Sequence, residues 1–172
     1  MVDAIQGIGV VPLRGGDLAI DILACGAQKW LCSPFGTGFT YIRKELCTAA
    51  EPYLPGWLSF TTTQDFTRLT EYNYDLLDDA TRFEVGTRPF QSCAGMAASI
   101  NLLASLGVQR IWEHVLRLQQ PLLDYALQEG IAITNDMRPE ARSGIICLRP
   151  PDAPAVHAAL KRAGITCSRS AA

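Results

Sequence analysis

The pattern of apolar positions in the first part of the chain predicts short strands around a glycine-rich turn. Residues 1–9 read as the end of a buried strand, because no polar or flexible segment precedes them. Alternating acidic and apolar residues from Asp17 to Leu23 predict a short helix followed by a strand. A glycine-rich turn region then begins at Lys29. It leads into Phe39–Ile42, whose aromatic and β-branched residues predict a further strand.

The middle of the chain passes from an irregular region into two helices. Many Pro, Thr, Tyr and Trp residues with little periodicity predict an ordered loop over residues 50–75, with room for one short helix. Ala, Leu and Ile residues predict a buried helix over Cys93–Leu106, ended by Gly107. A second helix is predicted over Val108–Gln128, where Pro121 is expected to cause a kink or a restart. Its apolar face recurs at three- or four-residue spacing and comprises Ile111, Trp112, Val115, Leu118, Leu122 and Tyr125.

The last third of the chain alternates between short strands and a helix. Strands are predicted over residues 131–134, 144–148 and 165–167, and a helix is predicted over 153–163. This order predicts a small α+β lobe. Both ends of the chain look cut through structure, so we expect a piece of a longer protein.

Composition and charge exclude several classes of function. The chain of 172 residues has room for one domain or for two lobes, and its formal net charge is −2. This small negative net charge does not indicate binding to nucleic acid or to an acidic membrane. No apolar run approaches the roughly 20 residues that span a bilayer, and the start lacks the features of a signal peptide. We therefore expect a cytoplasmic protein.

The cysteines and histidines do not suggest a metal site. The six cysteines are widely and irregularly spaced, which predicts reduced, buried thiols rather than zinc ligands or disulfides. The two histidines, His114 and His157, lie far apart in helix-like stretches. No metal is expected.

Three residues suggest chemistry of a different kind. Asp3 and Gln6 follow a predicted strand end, and Lys29 lies beyond the next predicted strand. Pyridoxal phosphate (PLP) needs a carboxylate against its ring nitrogen and a lysine amine with which to form a Schiff base. Singly, an acid at a strand end is usually a cap or a surface residue, and a lone lysine is usually solvated. Only the wider sequence around these residues favours the cofactor.

That wider sequence resembles the class V aminotransferase family, which includes cysteine desulfurases, selenocysteine lyases and isopenicillin-N epimerase-like enzymes. The residues that carry the resemblance cover nearly the whole chain in the family's order. They are residues 3–9, Asp21, residues 26–31, 34–39, 55–59, 82–87, Gly107-Val108, residues 142–145 and 164–166.

The resemblance implies an α/β fold, the C-terminal part of a fold type I PLP-dependent transferase. Residues 1–107 would form part of the PLP-binding large domain. Residues 108–172 would form a linking helix and a small, truncated α+β C-terminal domain. The family's N-terminal half and extreme C-terminus would be missing.

The resemblance also assigns roles to individual residues. Lys29 would be the lysine that links to PLP and moves the proton at the substrate α-carbon. Asp3 would pair with the pyridine nitrogen, and Gln6 would donate to the phenolic oxygen of the ring. Gly86 and Thr87 would reach the cofactor phosphate of a neighbouring subunit, which implies a homodimer.

The sequence departs from the family's pattern in places. Many desulfurases carry serine and histidine where this chain has Gly26 and Gln28; Gln28 can still donate an amide hydrogen bond to the phosphate. Cys167 stands too early to be the sulfur-accepting cysteine of desulfurases, and Arg169 is not assigned to the substrate carboxylate. The sequence Lys29-Trp30-Leu31 favours the epimerase-like branch.

We therefore expect a PLP-dependent transferase or lyase that acts on an amino acid, a small-molecule substrate, through a Schiff base on Lys29, of the epimerase-like or lyase-like branch. One alternative is a cysteine desulfurase or selenocysteine lyase. Another is a non-catalytic, truncated remnant of such an enzyme. A third is an unrelated α/β binding domain in which Lys29 is structural. Neither nucleic acid nor a membrane is an expected partner.

Overall fold

The computed structural model describes residues 1–13, 19–68, 70–71 and 73–170. The chain divides into two compact units, Met1–Val108 and Gln109–Ala172. The boundary lies next to the one expected at residue 107. The helix predicted to begin at Asp17 falls partly outside the described residues.

The first unit contains a mixed three-stranded sheet. Its strands are β1 (Val2–Asp3), β2 (Ile22–Gly26) and β3 (Gly38–Ile42), in the order β1-β2-β3. Strand β1 is parallel to β2, and β2 is antiparallel to β3. The strand predicted over Phe39–Ile42 is thus confirmed. A small core covers the sheet and comprises Ala4, Leu23, Cys25, Ala27 and Leu31, with Ile8, Ile20, Met96 and Leu103 packed against it.

The predicted loop over residues 50–75 is irregular, with three single 3-10 turns rather than one helix. These turns are Trp57–Ser59, Thr61–Gln64 and Phe66–Arg68, and a fourth spans Ala80–Phe83. The short helix α1 (Lys44–Ala49) precedes them.

Helix α2 (Phe90–Leu106) begins three residues before the predicted start. The prediction that it would be buried is wrong: Leu102 is 60% exposed and Leu106 is 45% exposed. Only one face of the helix meets the core, through Met96 and Leu103. Apolar composition alone therefore did not show that a single face is covered.

Helix α3 (Val108–Gln128) has the predicted bounds, but its buried face differs in part from the predicted one. The helix continues through Pro121 without a restart. Its buried face comprises Gln119, Leu123 and Ala126, whereas Leu118, Leu122 and Tyr125 are exposed. Gln119 can be buried because its amide donates to the Ser143 carbonyl at 2.9 Å and accepts from Arg142 at 3.1 Å. No apolar periodicity reveals such a position.

The second unit also holds a small hairpin and helix α4 (Ala153–Arg162). Strand β4 (Ala132–Ile133) pairs antiparallel with β5 (Leu148–Arg149). Strand β5 begins later than predicted. Before it, the Asn135 amide donates to Ile145 O at 3.1 Å and accepts from Cys147 N at 2.5 Å. The strand predicted over residues 165–167 is wrong, since those residues form no strand.

All six cysteines lie within the described residues, and all are free thiols. Cys25 and Cys47 are buried and Cys93 is half-buried. Cys32, Cys147 and Cys167 are exposed, so the expectation of buried thiols was wrong for those three. Among the described residues, no helix has the length and apolarity needed to cross a membrane.

Candidate active site

The parallel pairing of β1 and β2 brings Asp3 and Gly26, the last residues of the two strands, to the same end of the sheet. Asp3 lies opposite Ala24, and Ala4 N donates to Ala24 O at 2.8 Å. The two strands therefore end side by side, at Asp3 and at Gly26. Ligands of open α/β sheets bind at this carboxyl edge of parallel strands.

A large open cavity of about 1050 Å³ extends over one face of this sheet and includes its carboxyl end at Asp3 and Gly26. It is bounded by the end of β1, by β2 and β3, and by residues from Ala80 to Cys93. Three charged side chains line it: Asp3, Glu84 and Arg88. The described lining includes Gly26 but not Gln6, Gln28, Lys29, Gly86 or Thr87. The structure thus places Asp3 in the wall of the cavity, whereas the other predicted site residues do not line it.

The carboxylate of Asp3 is held by its own chain. Its Oδ1 accepts a hydrogen bond from Ile5 N at 3.0 Å, and the side chain remains exposed to the cavity. Asp3 also affects the neighbouring strand: burial, and secondarily the negative charge of Asp3, raises the pKa of the Cys25 thiol. Cys25 is therefore kept neutral beside the carboxylate.

Gln6 lies in the turn that follows β1. Gly7 N and Ile8 N both donate to Ala4 O, at 2.9 and 3.0 Å, and this turn leaves Gln6 half-buried. Gln6 is thus close to Asp3 along the chain but faces a less open environment.

Gln28 lies against the glycine that ends β2. A Cβ atom on Gly26 would come 2.7 Å from Gln28 Oε1 and 3.0 Å from Ile5 Cδ1. The amide of Gln28 thus takes the space that a side chain at position 26 would fill. The Gln28 amide can therefore take this position only because residue 26 has no side chain.

Lys29 sits in a tight turn, which we call the lysine turn (residues 27–37), and is exposed. Ala27 anchors the turn: its N–H donates to Thr37 O at 2.9 Å and its carbonyl accepts from Ser33 N at 3.0 Å. Within the turn Cys32 N donates to Lys29 O at 2.9 Å. Cys32 has a φ of 51°, a left-handed conformation that L-residues other than Gly seldom adopt.

Helix α2 holds the lysine turn from the other side. The Ser99 hydroxyl donates to Leu31 O at 2.5 Å. Gly95 approaches Pro34 so closely that a Cβ atom would lie 2.9 Å from Pro34 Cγ. The position of Lys29 therefore depends on residues far along the chain.

Gly86 and Thr87 lie in a loop that a second motif of the resemblance holds in place. A Cβ atom on Gly56 would lie 1.7 Å from the carbonyl oxygen of Val85. The Ser59 hydroxyl, fully buried, accepts from Gly56 N at 3.0 Å and donates to Glu84 O at 3.4 Å. Residues 55–59 and 82–87, which are far apart in sequence, thus form one packed element.

Arg82 ties the same loop to helix α1. Its side chain is only 6% exposed, and Nη1 donates to Cys47 O at 2.6 Å. Its Nε is buried and has no hydrogen-bond partner among the described residues. The guanidinium therefore caps the C-terminal end of α1.

The sequence analysis missed the Glu84–Arg88 pair. Arg88 Nε donates to Glu84 Oε2, and this hydrogen bond raises the pKa of Arg88. The only sequence signal was an acid and an arginine four residues apart on either side of Gly86 and Thr87.

Comparisons with known proteins show what the whole chain is similar to. The family model described as "Aminotransferase class-V" matches residues 1–169. An uncharacterised aminotransferase of Bacillus subtilis is 29% identical over 97% of this chain and 43% of its own length. A kynureninase of Bacillus thuringiensis is 28% identical over 95% of this chain and 39% of its own.

The fold is also found in solved structures. The apo structure of a cysteine desulfurase from Thermococcus onnurineus matches with a TM-score of 0.80 and 25% identity, over 95% of this chain and 40% of that one. The chain thus spans about two-fifths of the length of the relatives it matches.

Proposed function

Because the chain belongs to the class V aminotransferase family, we propose that it is part of a PLP-dependent enzyme that acts on an amino acid, with Lys29 as the cofactor-linking residue. Enzymes of this family use PLP. The observation that carries the proposal is the shared carboxyl edge of β1 and β2, where Asp3 and the start of the lysine turn stand together.

The residues present fit the cofactor. A carboxylate in an open cavity suits a protonated ring nitrogen, and an exposed lysine in a fixed turn suits a covalent link. When bound, PLP supplies an electron sink for negative charge that develops at the substrate α-carbon. Asp3 holds the proton at the ring nitrogen, and the Lys29 amine moves the proton at the α-carbon.

The remaining contacts in the proposal come from amide and hydroxyl groups. Gln28 donates its amide N–H to a phosphate oxygen, and Gly26 makes room for that amide. Gln6 donates to the phenolic oxygen of the ring. The backbone N–H of Gly86 and the Thr87 hydroxyl donate to the phosphate held by a second copy of the chain, so the active form is a homodimer.

Within the family, we favour a lyase-like reaction. The kynureninase and cysteine desulfurase relatives support it. The alternative to a lyase-like reaction is epimerisation, because the sequence of residues 29–31 favours the epimerase-like branch. Turnover of a panel of amino acids, with products identified by mass spectrometry, separates bond cleavage from inversion.

The cofactor link is tested by titrating the purified chain with PLP, reducing with borohydride and mapping the peptides. The sequence has only three lysines, Lys29, Lys44 and Lys161, so the map is unambiguous. We expect an adduct on Lys29 that is lost in Lys29→Ala and kept in Lys44→Ala, an exposed lysine of α1. A folded chain with no adduct would instead support a non-catalytic remnant. An adduct equally spread over the three lysines would contradict the assignment.

A further inference from the structure

Arg88 supplies positive charge to the cavity that holds Asp3. Of the described side chains that line this cavity, Asp3 and Glu84 are acidic and Arg88 alone is cationic. Arg88 belongs to the same compact unit as Asp3 and directly follows Thr87 in sequence. The cavity therefore carries two negative side chains and one positive side chain.

The ion pair with Glu84 engages only part of the guanidinium. Glu84 Oε2 accepts from Nε, and among the described residues no hydrogen bond involves the two Nη groups of Arg88. The Arg88 side chain is 46% exposed, so these groups can reach a ligand in the cavity. A guanidinium anchored through Nε is well suited to bind a carboxylate or phosphate with its remaining N–H donors.

The proposed reaction brings oxyanions into this cavity. An amino-acid substrate carries a carboxylate, and PLP carries a phosphate. Either one would meet the carboxylates of Asp3 and Glu84, and the guanidinium of Arg88 beside Glu84 would offset part of that repulsion.

We propose that Arg88, held by Glu84, is an oxyanion-binding residue of this cavity. The ligand group is the substrate carboxylate or the cofactor phosphate. This inference rests on the proposed function for its ligand but makes its own prediction about simple anions.

The test uses inorganic phosphate and acetate as probes, with NMR chemical-shift titrations of the ¹⁵N-labelled chain. The variant is Arg88→Gln, with Arg88→Lys to keep the charge. The matched control is Arg68→Gln, because Arg68 is also exposed and also paired with a nearby glutamate, Glu71, but does not line the cavity.

We expect at least one probe to bind the wild-type chain. Its dissociation constant should be at least about tenfold weaker in Arg88→Gln, as expected for a lost charged hydrogen bond, and unchanged in Arg68→Gln. Preference for phosphate identifies the cofactor group as the ligand, and preference for acetate identifies the substrate carboxylate. The proposal is overturned if wild type binds neither probe, or if Arg88→Gln binds both as wild type does.

The two proposals fail in distinguishable ways. A wild-type chain that binds an anion through Arg88 but forms no borohydride-reduced adduct on Lys29 would count against the proposed function alone. A wild-type chain that forms the adduct but binds neither probe would count against the role of Arg88 alone.

Discussion

The backbones of Gly56 and Val85 cross so closely that a single added carbon on Gly56 would lie 1.7 Å from the Val85 carbonyl oxygen. The atom it would meet is main chain, so no side-chain rotation can relieve the contact. We predict that Gly56→Ala lowers the free energy of unfolding by about 3 kcal/mol or more, as severe overpacking does. Chemical denaturation measures the change.

The control for that substitution is Gly7→Ala. A Cβ atom on Gly7 would meet only Ala4 O, at an ordinary 3.7 Å. Its stability should stay within about 1 kcal/mol of wild type. Equal stability of the two variants would show that the loop of Gly86 and Thr87 does not depend on the crossing.

The contact between Gly26 and Gln28 predicts a non-additive effect on PLP affinity. Gly26→Ala should push the Gln28 amide away and weaken PLP binding about two- to tenfold, the effect of one lost hydrogen bond. Gln28→Ala should weaken it by a similar factor, and the double variant no further. Absorbance titration with PLP gives the three constants. If the double variant loses affinity by the product of the two single-variant factors, the two positions act independently.

Arg82 should stabilise the chain through its bond to α1. In Arg82→Met, the carbonyl of the buried Cys47 loses its donor, which costs about 1–3 kcal/mol of unfolding free energy. Arg68→Met is the control, because Arg68 is exposed and its ion pair with Glu71 is screened by solvent. If both variants unfold at the same denaturant concentration, the buried guanidinium does not tie the loop to α1.

The cysteines should differ in their rates of alkylation and in how those rates depend on pH. Cys32, Cys147 and Cys167 are exposed and should be alkylated first, whereas Cys25 and Cys47 should react slowly in the folded chain. Because burial raises the pKa of Cys25, less thiolate is present at a given pH, and its labelling should require more alkaline conditions. Peptide mass spectrometry after timed alkylation follows each site. Labelling of Cys25 at neutral pH as fast as Cys167 would contradict its buried environment.

The sequence predicted most where the signal was local and repeated. The bounds of α3 and the strand at Phe39–Ile42 follow from periodicity and β-propensity. The family and the fold follow from the order of its motifs along the chain.

The sequence failed where hydrogen bonds replaced the expected pattern. Burial of Gln119 depends on partners more than 20 residues away, and the late start of β5 depends on the Asn135 side chain. The Glu84–Arg88 pair gained meaning only once the fold placed it in the same cavity as Asp3.

The bond from Ser99 to the carbonyl of Leu31 has a consequence for protein engineering. The lysine turn and α2 form one unit, joined by that hydroxyl and by the close approach of Gly95 to Pro34. A designer who grafts the lysine turn onto another scaffold must therefore bring a helix with a glycine and, four residues later, a serine. A library that varies residues 27–37 alone would sample turns that their supporting helix no longer fits.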